Sequence, residues 1–266
     1  MKWYYLDFYG EDELYLIEKI SSLGLTGVGF PGKRGAHLRV YFEDLGERER
    51  VRSLLAGEFR IESGEEEDRD WIREVERGYE PVRAGSFVVV PSSLIPIIIK
   101  PGMAFGTGYH PSTRLALRLI DEEIKEPRGL SLDLGAGSGI LAIALYKKGV
   151  KPIIALDRDL LALKEARENF LKNDIRSGVA LICSDLLSAI KGDLRFEIVV
   201  ANLLFSIFEV ALPEIAKHME KGGIFMASGI TTRERDRFLN LIERYGFKLI
   251  SLLEEEGWIG TAAILR

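Results

Sequence analysis

The chain has 266 residues, 47% of them hydrophobic and 29% charged, and a net charge of −5, which suits one large domain or one domain with a small companion. Cys183 is the single cysteine, so an internal disulfide and a cysteine-based zinc site are both excluded. The histidines His37, His110 and His218 are too scattered to suggest a metal site, no stretch reaches the roughly 18 apolar residues of a membrane span, and acids from Asp7 onward leave no secretion signal, so no metal, no membrane and a cytoplasmic location are expected.

The charge is uneven: residues 1–62 carry −2, residues 63–70 carry −4, and the remainder carries +1. An acidic front suits a basic partner better than a phosphate backbone, so direct nucleic-acid binding is not expected. A merely solvated acidic linker is the alternative.

In chain order, Trp3–Phe8 reads as an aromatic strand broken by Gly10. Glu11–Leu23 reads as a helix with Leu14, Ile17 and Ile20 on one face, ending at Gly24. Thr26–Phe30 and Ala36–Phe42 are predicted strands around the turn PGKRG. Glu47–Ala56 is a short predicted helix with Val51, Leu54 and Leu55, stopped by Gly57, and Phe59–Glu62 is a last strand. This βαββαβ order matches the ferredoxin-like motif, an α+β unit that says little about function by itself. Residues 63–80 follow as a charged linker, SGEEEDRD, and a helix over Asp70–Tyr79 carrying Trp71 and Val75. Phe87–Pro91 and Ile95–Lys100 look like β segments. The loop PGMAFGTGYHPST then leads into a helix from about Ser112.

From Leu130 strand and helix alternate. The strands are Leu130–Leu134, Pro152–Leu156, Val179–Cys183, Phe196–Ala201 and Gly223–Ser228; helices lie near Leu141–Lys148, Leu160–Asn173, Phe205–His218 and Arg233–Tyr245. That pattern predicts a parallel sheet covered on both faces. Lys248–Glu254 and Trp258–Leu265, joined at Glu256–Gly257, predict a closing antiparallel hairpin. The expected class is α/β: a seven-stranded Rossmann-like class I methyltransferase domain over residues 81–266, preceded by a ferredoxin-like domain over residues 1–62.

The strongest local signal is LDLGAGSGIL, residues 132–141, between a strand and a helix. Gly135, Gly137 and Gly139 permit a tight turn close to a ligand. Ile140 stands where a dinucleotide fingerprint wants a small residue, so a pyrophosphate turn and a dehydrogenase are disfavoured. Asp133 is placed either to bond loop amides or to meet a cationic ligand, or else is a structural acid at a strand end. Asp157 ends the next strand, 22 residues past Gly135, at the interval of about 20 typical of a ribose-binding acid. A carboxylate accepts from both ribose hydroxyls, and Asp159 is better placed to cap the following helix. Asp185, ending the third strand, faces either an adenine amino group or a cap. Asn202, after VVA, leaves the fourth strand at the carboxyl edge where such sheets bind ligands. There its carbonyl can accept from a substrate amine and aim the lone pair at a methyl group; a simple turn residue is the alternative.

Together GMAFGTGYHPSTRLAL (102–117), LDLGAGSGIL (132–141), ALDRD (155–159) and VVANLL (199–204) resemble the bacterial ribosomal protein L-eleven methyltransferases, also called PrmA. FGTG followed by a His and a Thr before a helix is the specific part. The resemblance covers essentially the whole chain, with a short front domain and Tyr109 at a variable loop position as departures. It implies S-adenosylmethionine as cofactor and the eleventh protein of the large ribosomal subunit as substrate. It implies Gly135 and Gly137 against the methionine part, Asp157 on the ribose, Thr113 near the methionine end, Phe105 over the methionine chain, Gly106 beside it in the same loop, and Asn202 at the reacting centre. The front domain is then expected to recognise the protein substrate. His110 is the one candidate base in the loop, with a structural role as its alternative. The rivals are a nucleic-acid amine methyltransferase, against which the acidic front argues, and a non-catalytic adenosine-binding module, against which the intact Gly-loop and Asn202 argue.

Overall fold

The structure, a computed structural model, describes residues 2–10, 13–25, 27–28, 38–67, 81–100, 102, 105–127 and 129–266. The chain divides into two compact units, Met1–Leu94 and Ile95–Arg266. The helix expected over residues 70–79 and the turn at 31–35 lie outside the described residues.

The first unit holds β1 (Lys2–Tyr9), α1 (Glu13–Ser22), β2 (Gly27–Val28), β3 (Leu38–Phe42), α2 (Leu45–Leu55) and β4 (Arg60–Glu67). Its antiparallel sheet runs β2-β3-β1-β4. Alternation along the strands sends Leu6, Phe8, Val40 and Phe42 to one face, where Leu16 and Ile20 of α1 and Val51 and Leu55 of α2 cover them. The predicted helix faces are therefore rotated: Ile17 is 41% exposed and Leu54 62% exposed.

The acidic run expected as a linker is instead the second half of an edge strand. Glu62 through Glu67 stay in register with β1, ending at Lys2↔Glu67. Cross-strand cations offset the poor strand propensity of the glutamates: Lys2 pairs with Glu65 at 2.9 Å and Arg39 with Glu66 at 2.6 Å. β4 runs past residue 62 to Glu67, and the small hairpin of β5 (Val82–Ala84) and β6 (Phe87–Val89) lies within the first unit.

The second unit begins with Ile95–Lys100, which pairs with no strand among the described residues. Its backbone is satisfied by helix side chains. Ile98 N–H donates to Asn173 Oδ1 (2.9 Å), Asn173 Nδ2 donates to the Ile98 carbonyl (2.7 Å), and Lys100 N–H donates to Asn169 Oδ1 (2.9 Å). There follow α3 (Pro111–Glu123), β7 (Ser131–Leu134), α4 (Ile140–Lys147), β8 (Ile153–Asp157), α5 (Leu160–Lys172), β9 (Val179–Cys183), β10 (Phe196–Asn202), α6 (Phe205–Lys217), β11 (Met219–Thr231), α7 (Arg235–Arg244), β12 (Phe247–Glu255) and β13 (Trp258–Leu265).

The seven strands lie in the order β12-β13-β11-β10-β7-β8-β9. β7 pairs in parallel with both β10 and β8, so the winding reverses on either side of it. Such a switch point opens a crevice at the carboxyl ends of the strands. β13 runs antiparallel to β11, which brings the first residue of β13 to that same edge. One face buries Ile198, Val200, Met226 and Ala262 with Leu119, Ile143 and Ala166; the other buries Leu132, Leu134, Val199 and Phe225 with Phe208, Leu212 and Phe238. No helix among the described residues is long and apolar enough to cross a membrane.

Candidate active site

A cleft of about 760 Å³ opens at the carboxyl edge, bounded by residues from β7, β8, β10 and β13 and from the loops after them. That volume suits a ligand of nucleoside size. Phe105, Gly135, Gly137, Asp157, Asp185 and Asn202, all expected at the ligand, line it.

The floor is the GAGSG turn. Gly137 has φ +53°, and a Cβ there would lie 2.5 Å from the Phe105 carbonyl oxygen, so a side chain would force the two loops apart. They are clamped through Ser138: its N–H donates to the Phe105 carbonyl (2.9 Å) and its hydroxyl to the Gly106 carbonyl (2.6 Å). Buried Asn169 of α5 donates to the Ser138 carbonyl at 2.9 Å, which ties the turn to the extended segment at Lys100. Gly106 is buried beneath the wall and does not line the cleft. Its carbonyl, held by the Ser138 hydroxyl, fixes the loop.

The three acids separate by environment. Asp157 Oδ2 accepts from Gly137 N–H (2.8 Å) and Oδ1 from Asp159 N–H (2.9 Å), while Asp159 caps α5 by accepting from Leu161 N–H (2.8 Å). Each Asp157 oxygen keeps a further lone pair. At the third strand end Ser184, not Asp185, takes the turn: its Oγ donates to the Leu186 carbonyl (2.9 Å) and accepts from Ala189 N–H (3.1 Å). The Asp185 side chain is thereby left for the cleft, which it lines.

Asp133 differs. It is wholly buried behind the turn and does not line the cleft. Its Oδ2 accepts from Ala142 N–H (2.9 Å), and its Oδ1 has no partner. Its contact is a bond with the first turn of α4. Burial above all pushes its carboxyl up to about 7 from 3.8, with the nearby Asp157 charge adding to the rise. A carboxyl that stays protonated in the fold but ionises in the unfolded chain makes stability fall with pH between about 4 and about 7 and level off above. The expected result is that Asp133→Asn gains on the wild type across that window, by on the order of 4 kcal/mol in total. Urea unfolding of both proteins at several pH values checks it; a pH-independent difference contradicts it.

Asn202 ends β10. Its Nδ2 donates to Thr113 Oγ1 at 3.3 Å, and its Oδ1 is buried without a partner. Thr113 is fully buried near the start of α3 and is not part of the cleft wall. Thr113 Oγ1 thus holds the nitrogen end of the Asn202 amide. Gly229, at a bulge in β11, makes room for that oxygen, since a Cβ there would lie 2.9 Å from it.

His110 caps α3. Its Nδ1 accepts from Ser112 N–H at 3.3 Å and lies 2.7 Å from Ser112 Oγ. The imidazole stands between Phe105 (5.4 Å between centroids) and Trp258 (4.7 Å), edge to face with both. Sequence reasoning missed Trp258, Arg158, Ile207 and Val210 as lining residues. For Trp258 the signal was available: the first residue of an antiparallel final strand must sit at the carboxyl edge of the parallel ones.

The sequence model of the ribosomal protein L11 methyltransferase family, PrmA, matches residues 37–264. The chain belongs to this family. A ribosomal protein L11 methyltransferase of Staphylococcus aureus strain MRSA252 is 33% identical over 280 residues, spanning 95% of this chain and 83% of the relative. The crystal structure of a ribosomal protein L11 methylase from Lactobacillus delbrueckii subsp. bulgaricus superposes with a TM-score of 0.56 at 30% identity, over 60% of this chain and 81% of that one. A precorrin-8w decarboxylase from Methanobacterium thermoautotrophicum, at a TM-score of 0.51 and 16% identity, shares the fold alone. Phe105 of the FGTG loop, the GAGSG turn and Asn202 share one setting, the cleft at the switch point of the sheet.

Proposed function

We propose that this protein transfers methyl groups from S-adenosylmethionine to amino groups of ribosomal protein L11, lysine side chains and the N-terminal amine among them. The observation that carries the reading is that Asn202 lines a cleft that also presents Asp157 and Asp185, with its Oδ1 buried and without a partner among the described residues. A buried acceptor without a donor is costly, and a substrate amine supplies the donor. PrmA relatives named for action on L11 cover most of this chain, which supports that protein as substrate.

The residues fit the cofactor. Asp157 accepts from the two ribose hydroxyls, Gly135 and Gly137 let the methionine part lie against the turn, Asp185 accepts from the adenine amino group, and Phe105, 56% exposed, covers the methionine chain. S-adenosylmethionine supplies a methyl group on a sulfonium whose leaving group departs neutral, so no acid must assist it. The work of the protein is on the amine. A lysine with a reference pKa of about 10.4 must lose a proton before it attacks. Leu203, Ile207 and Val210 make that part of the wall apolar, which disfavours the ammonium form, and the proton leaves to bulk water. Asn202 then accepts one N–H of the neutral amine and points its lone pair into the cleft. Positioning of this kind removes several kcal/mol of barrier without a general base.

The first unit is read as a ferredoxin-like module that docks the substrate protein; the βαββαβ order with strands β2-β3-β1-β4 supports it. Its acidic strand β4 suits a basic ribosomal protein and disfavours nucleic acid. A cytoplasmic setting follows from the substrate. The expected result with residues 95–266 alone is unchanged S-adenosylhomocysteine affinity and no methylation of L11, measured by calorimetry and by mass increments on the substrate. A fragment that methylates L11 at the full-length rate contradicts the docking role.

A further inference from the structure

The two ends of the cleft differ in chemistry. At one stand Asp157 and Asp185, the polar partners assigned to the nucleoside. At the other stands an aromatic row, Phe105, His110 and Trp258, in successive edge-to-face contact. Asn202 ends β10 beside β11, and β11 lies between β10 and β13. Across these strands Asn202 pairs with Ser228, and Ser228 with Gly260, two residues along from Trp258. The indole and the Asn202 carboxamide thus belong to the same edge of the sheet and the same cleft.

We propose that Trp258 is the wall against which the amine-bearing chain of the substrate packs, so that its nitrogen meets Asn202 Oδ1; this rests on the methyl-transfer reading above. The indole is held rather than loose. Its backbone is fixed by pairing with Glu255 in β12 and Thr231 in β11, and the turn before it by Thr232 N–H donating to the Gly257 carbonyl at 2.9 Å. Its ring is set by the His110 imidazole, itself locked by capping α3. Trp258 is half-buried, so part of its surface remains for the cleft.

A flat apolar surface suits this task. It packs against the methylenes of a lysine and equally against the shorter backbone of a chain terminus, because it asks for no particular hydrogen bond. It attracts an arriving ammonium through its π face. Once the chain is packed, it excludes water from the nitrogen, and a drier nitrogen is more readily neutral. Asn202 by itself offers a single acceptor, which fixes one N–H but leaves the chain free to pivot. A wall on the other side removes that freedom.

The test compares wild type, Trp258→Ala and Trp258→Phe as full-length proteins acting on L11. Trp258→Ala is expected to lower kcat/KM at least tenfold, to leave S-adenosylhomocysteine affinity within about twofold, and to move the acid limb of the kcat/KM profile to higher pH, since a wetter amine holds its proton longer. Trp258→Phe is expected to recover most of the loss. An equal loss of S-adenosylhomocysteine affinity places the indole on the cofactor and overturns the proposal, as does an unchanged kcat/KM or a uniform loss with an unmoved pH profile. A second readout needs no turnover. In protein carrying 5-fluorotryptophan, the fluorine resonance absent from Trp258→Phe is expected to shift when n-butylamine is added to the S-adenosylhomocysteine complex. A resonance that does not shift overturns the proposal. Failure of wild type on L11, with the resonance still shifting, contradicts the choice of substrate protein and leaves the wall standing.

Discussion

Asn202→Ala is expected to slow single-turnover methyl transfer on the order of a hundredfold while leaving cofactor affinity within about twofold. The reason is the position of the two ends of the amide. Nδ2 is taken by Thr113, and Oδ1 has no partner among the described residues. Removing the carboxamide therefore deletes an interaction made with the reacting amine, whereas the cofactor keeps Asp157, Asp185 and the turn. Loss of a contact made mainly in the transition state lowers kcat and kcat/KM together. Rapid-quench transfer at saturating cofactor, beside a calorimetric titration, separates the two effects. If the rate stays near wild type, or if the whole defect is weaker cofactor binding, the amine is positioned by another group.

The second large effect is expected at Asp157. Asp157→Ala removes two hydrogen bonds from a charged acceptor to ribose, each worth about 1.5 kcal/mol, and so weakens S-adenosylmethionine binding roughly a hundredfold. It also releases Gly137 N–H and Asp159 N–H, which the carboxylate holds at 2.8 and 2.9 Å, and so loosens the turn the methionine part lies on. Asp157→Asn keeps one acceptor oxygen and is expected to fall between. Equal affinity of folded Asp157→Ala and wild type, measured by calorimetry, contradicts the ribose assignment.

The parallel half of the fold was readable because its strands and helices differ in period, and buried strands such as Phe196–Asn202 are nearly continuous apolar runs. That Asp157 and Asn202 line the cleft was readable for a related reason: each ends a strand, and the crevice of such a sheet opens at strand ends. What composition hid were interactions between distant segments. The glutamates of β4 read as linker because strand propensity takes no account of Lys2 and Arg39, which lie far away in sequence. Ile95–Lys100 read as strand because its β-branched residues suit one, yet its partners are the amide side chains of Asn169 and Asn173. Thr113 and Gly106 lie in the motif that identifies PrmA, but sequence cannot tell a residue that touches the ligand from one that holds its neighbour. Thr113 is buried and bonded to Asn202.

The central claim, that this cleft methylates amines of ribosomal protein L11, is tested most directly by incubating the full-length protein with methyl-labelled S-adenosylmethionine and an extract of cells lacking their own enzyme of this family, then identifying the labelled species. The account predicts label on L11, at lysine or N-terminal amines, stable to ribonuclease and absent with Asn202→Ala. Label on ribosomal RNA, or on proteins with L11 unlabelled, contradicts it.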